Sequence, residues 1–218
     1  MTDTTGADLR RDLQDRLLEA ALPHIPFDGW TRDAFAAGAS EAGLDIGDID
    51  LAFRRLPDDG LDHFADWADR NMLEALRGDS AFPEARTRDK IAMGVRKRLE
   101  SMEPHREAVQ RSAGLLSHPG RGPLAARLVW RTSDRLWREA GDVATDFNHY
   151  SKRALLSAIV GTTTLYWLND STPDRAPTWD FLHRRIETVL RIGGRAGRAV
   201  ARGSALRSQF CRNESAAR

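Results

Sequence analysis

The sequence holds one cysteine in 218 residues, Cys211. That excludes an intrachain disulfide framework and an all-thiolate metal site, and it fits a reducing compartment. No apolar run is long enough to cross a bilayer. The longest, Ala154 to Leu168, is about fifteen residues, diluted by Ser157 and by Thr162 to Thr164. A spanning helix needs about twenty predominantly apolar residues, so this stretch reads as a buried core helix. The first thirty residues carry Asp3, Asp8, Asp12, Asp15 and Glu19 and no basic start leading into an apolar stretch, so no signal peptide is expected. Catalytic signatures are missing too. The histidines His24, His63, His105, His118, His149 and His183 are scattered singly, with no His-x-x-x-His pair and no Glu-x-x-His repeat of the di-iron bundle kind. There is no Gly-x-Ser-x-Gly elbow and no Gly-x-x-x-x-Gly-Lys phosphate loop. No enzyme activity is expected.

What is present is enough apolar material for a core, 41% of residues, and enough charge, 30%, to keep its outside wet. One folding unit is expected. The net charge of +1 conceals an asymmetry: residues 184–218 carry nine arginines against Glu187 and Glu214, a surplus of +7, which leaves −6 on residues 1–183. A basic tail on an acidic body suits an anionic membrane surface or nucleic acid through the tail alone.

The hydrophobic spacing is helical throughout. Leu9, Leu13, Leu17, Ala20 and Ala21 predict an amphipathic helix over 8–22, closed by Pro23, and residues 24–30 read as a turn. Thr31 is placed to cap a second helix with Ala34, Phe35, Gly38 and Ala39 on one face, ending at Gly43. A third, short helix follows over 47–53. Six more are predicted over 61–77, 84–102, 105–117, 123–140, 146–169 and 178–192, separated by prolines and glycines. The fold class is all-α. Within the one folding unit three parts are expected: a helix-turn-helix-like head over 1–56, a helical lipid-binding body over 57–192 and a basic amphipathic tail over 193–218.

Such a plan is that of TetR-type repressors, whose third helix enters the major groove. Here that stretch is Asp45-Ile46-Gly47-Asp48-Ile49-Asp50-Leu51, with no arginine or lysine before Arg54. Affinity for nucleic acid rests on neutralising phosphates, so this helix would be repelled and no specific nucleic acid is expected. Asp142, Asp146 and His149 have a spacing that can hold a divalent metal, but Asp142 to Asp146 also sits where a helix start wants negative charge, and no metal is expected. In the tail, Arg191, Arg195, Arg198 and Arg202 share one arc of a helical wheel beside an arc of Ala196, Ala199, Val200, Gly203, Leu206 and Phe210, a pattern that Arg207 breaks. A basic amphipathic helix of this kind lies in a bilayer interface; the same glycine-rich composition also fits a frayed tail. Trp130 and Trp137, seven residues apart, fall on one helix face, as core or as the wall of an apolar cavity.

The run Ala140-Gly141-Asp142-Val143-Ala144-Thr145-Asp146-Phe147-Asn148-His149-Tyr150-Ser151-Lys152-Arg153-Ala154-Leu155-Leu156 resembles the ubiquinone-biosynthesis accessory proteins, a lipid-binding family that assists the di-iron demethoxyubiquinone hydroxylase. The resemblance continues through Leu168 to Asp174 and Thr178 to Leu182, and resumes at Pro23-His24-Ile25-Pro26-Phe27-Asp28-Gly29-Trp30-Thr31; residues 79–122 match in pattern alone. It implies a TetR-like fold with a degenerate head, a lipid pocket in the body and a C-terminal amphipathic helix. The implied role is non-catalytic: a homodimer without cofactor, cytoplasmic and peripheral to the inner membrane, that binds an isoprenoid quinone intermediate and presents it to the hydroxylase. The alternative is a TetR-type ligand-responsive regulator. By position the docking face comprises Asp146, His149, Tyr150 and Arg153, at three- and four-residue steps on one exposed face, with His149 departing from the family's large aromatic. The lipid pocket is expected at Trp130, Leu155, Ile159 and Trp167, and the membrane surface at Arg191, Arg195, Arg198 and Arg202.

Overall fold

The computed structural model describes residues 6–142, 147–189 and 191. Among them there are helices and turns and no strand. The helices are α1 Gly6–Ala21, α2 Ile25–Asp28, α3 Arg32–Glu41, α4 Asp48–Ala52, α5 Asp58–Arg77, α6 Thr87–Met102, α7 Arg106–Leu116, α8 Gly122–Glu139, α9 Phe147–Asn169 and α10 over 176–189.

The local chemistry explains the start of the chain. Leu17, Leu18 and Ala21 of α1 are buried against α3, whose cap is the Thr31 hydroxyl, accepting from the Ala34 N–H at 3.3 Å. The crossing is close because α3 presents Gly38: a Cβ there would lie 2.2 Å from the Ala20 carbonyl oxygen. Residues 24–30, expected to be a turn throughout, contain the short α2 instead. Pro26 fits a helix's first turn, and the Gly29 N–H closes back on the Ile25 carbonyl. Gly29, with φ of 71°, then turns Trp30 inward. Trp30 is 3% exposed, packs on Phe35 and Phe64, and donates to the Ala108 carbonyl at 3.3 Å, joining α3, α5 and α7.

α5 runs through the middle, packed on α6 and α8, while α8 packs on α9. Its stripe Leu61, Ala65, Ala68, Met72 and Leu76 is buried, and Asp69, in the same stripe, has no exposure at all. That carboxylate accepts from Arg98 Nε of α6 and from the Thr132 hydroxyl of α8, each at 2.8 Å, with Arg135 at 3.5 Å. One turn away, Asp66 pairs with Arg135 and Arg70, and Arg70 reaches Asp15 of α1 at 2.9 Å. A single apolar cluster runs from Leu17 to Ile186 beneath this charged seam.

The α9 to α10 joint rests on Asp170, whose carboxylate accepts from the hydroxyl and backbone N–H of both Thr172 and Thr178. The Thr178 hydroxyl contributes most to holding this carboxyl well below the usual aspartate range, against burial that would raise it; Thr172 and the backbone N–H groups of both threonines add to the effect. Arg106 covers the end of α9 by donating to the carbonyls of Trp167, Leu168 and Asp170.

Two outcomes are expected from this packing. Gly38→Ala will destabilise the protein by about 3 kcal/mol in urea unfolding, whereas Gly114→Ala, where a Cβ meets nothing within 4 Å, will be neutral or stabilising by up to about 1 kcal/mol. Because the folded-state pKa of Asp170 is depressed, its stabilisation is complete at neutral pH and shrinks once pH falls below the ordinary value of 3.8. The gap in stability between the wild type and Asp170→Asn will therefore narrow as pH is lowered through that range.

Candidate functional site

The body encloses a cavity of about 300 Å³. Its floor is formed by Leu61 and Phe64 of α5 and Arg98 and Met102 of α6, all buried. Its sides come from Val109, Ser112 and Leu116 of α7, Leu128, Val129 and Thr132 of α8, and Val160, Gly161 and Thr164 of α9. Toward the outside stand Ser117, exposed, and Leu165, 55% exposed, which mark its mouth. The hydroxyls in this wall do not make it polar. Ser112 donates to the Ala108 carbonyl, Ser117 to the Gly114 carbonyl, Thr164 to the Val160 carbonyl, and Thr132 to Asp69. A concave, mostly apolar space with few polar groups is a site for an apolar ligand.

None of the four residues expected to line the pocket does so. Trp130 is not in the cavity wall; its ring stands beside that of Tyr150, 6.3 Å between centroids. Leu155 is half-buried and Ile159 is packed in the core. Trp167 has no exposure, and its indole N–H donates to Glu103 at 2.8 Å. The cavity-facing arc of α9 is Val160, Gly161, Thr164 and Leu165, rotated from the arc expected. The sequence did carry a signal for the floor: Arg98 interrupts the buried stripe Ile91, Val95, Met102 of α6 as Asp69 interrupts that of α5, and opposite charges inside apolar stripes imply a buried pair.

Of the expected docking residues, Asp146 and the side chain of His149 lie outside the described residues. Tyr150 is 62% exposed. Arg153 is not on an exposed face. It is 1% exposed and donates to Asp134 at 2.6 Å and Asp142 at 3.2 Å, because α8 and the turn after it bring two carboxylates over that side of α9. Asp142 is thereby committed: burial would raise its carboxyl, and the bonds and charges of Lys152 and Arg153 outweigh that and hold it below the usual range. Arg191 is exposed and donates to Thr188; Arg195, Arg198 and Arg202 lie outside the described residues. Among the described residues no His, Cys, Asp or Glu cluster is arranged to hold a metal ion.

Residues 122–193 match the COQ9 family, and residues 11–40 match the family described as ubiquinone biosynthesis protein COQ9, N-terminal domain. The curated relatives include the human ubiquinone biosynthesis protein COQ9, mitochondrial, 33% identical over 89% of this chain and 63% of its own length. The rat protein of the same name is 33% identical over 94% of this chain and 69% of its own. The chain belongs to the COQ9 family. The COQ9 matches cover α1 to α3 with the turn carrying Trp30, and then α8 to α10, so the α5 to α7 side of the cavity falls between them. The chain spans about 63% of the length of the human COQ9 protein. Among solved structures, the TetR transcriptional regulator from Nitrosomonas europaea superposes with a TM-score of 0.64 at 19% identity, covering 81% of this chain and 97% of that one. The COQ9 chain therefore has a TetR-like all-α fold. No helix among the described residues is long and apolar enough to cross a membrane.

The burial of Arg153 sets an expectation of its own. Arg153→Ala leaves Asp134 and Asp142 without their shared cation and will lower stability by about 3 kcal/mol in denaturant unfolding, a structural loss distinct from any loss of docking.

Proposed function

We propose that this protein is a non-catalytic, lipid-binding accessory of ubiquinone biosynthesis, which holds an isoprenoid quinone intermediate in the cavity between α5 and α9 and presents it to the di-iron demethoxyubiquinone hydroxylase at the membrane. The observation that carries this reading is the apolar, open-mouthed cavity in a COQ9-family chain. An apolar cavity of about 150 Å³ takes a benzene ring. One of about 300 Å³ has room for a substituted ring with the first part of a prenyl tail. Each buried methylene contributes about 0.8 kcal/mol, so two prenyl units supply about 8 kcal/mol, from which the costs of association are drawn.

Docking and membrane contact have separate supports. Tyr150, exposed and in ring contact with Trp130, offers an aromatic anchor of the kind that dominates interfaces. The surplus of +7 over residues 184–218 supports peripheral attachment to an anionic bilayer. A homodimer is part of this reading. The regulator reading is weaker, because α4 carries Asp48 and Asp50 and no basic residue, and Asp50 occupies the guanidinium of Arg32 at 2.9 Å. A helix so charged repels phosphate.

Gly161 lines the cavity, and a Cβ there meets nothing within 4 Å, so Gly161→Leu will fill the cavity without disturbing the fold. In calorimetric titration with short-tailed ubiquinone this variant will lose at least tenfold in affinity and keep hydroxylase binding. Tyr150→Ala will keep the quinone and lose the hydroxylase. Undiminished quinone binding by Gly161→Leu would place the ligand elsewhere.

A further inference from the structure

Arg98 places a cation in the floor of an apolar cavity, where it is 9% exposed. Its Nε is committed to Asp69 at 2.8 Å. Its Nη1 stands 3.7 Å from the sulfur of Met102, which also lines the cavity, and a thioether is a weak acceptor. Among the described residues nothing accepts from Nη2, and the side chain that carries it lines the cavity. The other donors of the wall are spent. The protons of Ser112, Ser117, Thr132 and Thr164 go to backbone carbonyls or to Asp69. The cavity thus presents an apolar surface with one unspent hydrogen-bonding edge, on its floor.

The charge of that guanidinium is already met inside the fold: Nε of Arg98 lies 2.8 Å from the carboxylate of Asp69, which has no exposure. An arrangement neutralised in this way calls for a neutral acceptor oxygen, not for a carboxylate that would add a charge to a dry site. A polar group poised to bond a ligand oxygen also discriminates against analogues that lack one, because the donor is then left unsatisfied.

We propose that Arg98 is the specificity-determining residue of the cavity: its outer guanidinium edge donates to a carbonyl oxygen on the ring of a neutral prenylated quinone, so the ring lies on the α5 and α6 floor and the tail runs toward Leu165. The assignment rests on the reading that the cavity holds an isoprenoid lipid. It goes further in naming the end of the lipid that enters and the residue that selects it.

Three probes test it by calorimetric titration: ubiquinone with two prenyl units, an oxygen-free polyprene of similar size, and oleate. The proteins are the wild type, Arg98→Met, which matches volume without a donor, and Arg98→Lys, which keeps a cation for Asp69. The wild type will bind the quinone at least tenfold more tightly than the polyprene. Arg98→Met will lose about that factor for the quinone and none for the polyprene, which makes the polyprene the internal control on folding. The infrared carbonyl stretch of the bound quinone will lie lower in the wild type than in Arg98→Met, and Arg98→Lys will restore part of the shift. Equal loss for quinone and polyprene, no loss for either, or oleate binding that depends on Arg98 more strongly than quinone binding does would each overturn the assignment while leaving an apolar-ligand cavity. Failure of the wild type to bind either isoprenoid probe would overturn the proposed function and this assignment with it.

Discussion

A carboxylate with no access to water constrains the body of this molecule. Asp69 lies in the middle of α5, in a stripe otherwise made of apolar side chains, and a charge there is tolerable only where partners are brought to it. α6 supplies Arg98 and α8 supplies Thr132 and Arg135. The arrangement adds little net stability over an apolar substitute, but it specifies how far apart α5, α6 and α8 must stand. The space between them and α7 and α9 is the cavity. The same strip of α5 continues through Asp66 and Arg70 to Asp15, so the seam that shapes the cavity also holds α1 in place.

This gives the TetR-like fold a different balance of parts. α4, the helix that would read DNA, carries carboxylates and leaves Ile46 and Leu51 exposed near it, while α1 and α3 are locked at a glycine crossing and Trp30 is driven into the body. The head serves as packing for α5 and α7. The body has the open, apolar space, and outside it Trp130 of α8 and Tyr150 of α9 are in ring contact.

The helices were legible in the sequence because their signals are local: the Thr31 cap, the Leu17 and Leu18 face of α1, and the prolines between elements act within a few residues. The site was less so. α9 is apolar around most of its circumference, so periodicity identifies a buried helix without saying which arc faces a hole; Ile159 and Trp167 were as apolar a choice as Val160 and Leu165. Tyr150 and Arg153 are three residues apart and look like neighbours on one face, but Asp134 and Asp142, which cover Arg153, come from outside the helix. Trp30 lay in a stretch that reads as a turn, and only its contacts with Phe64 and Ala108 make it core. In each case the deciding partner is distant in sequence.

The central claim is that the cavity carries an isoprenoid quinone. Native mass spectrometry of the protein purified from a ubiquinone-producing host, with organic extraction of what co-purifies, tests it most directly. The account predicts a complex that releases one prenylated quinone per chain. A protein that emerges empty, and that takes up no added ubiquinone, would contradict it and leave the TetR-like fold without a ligand.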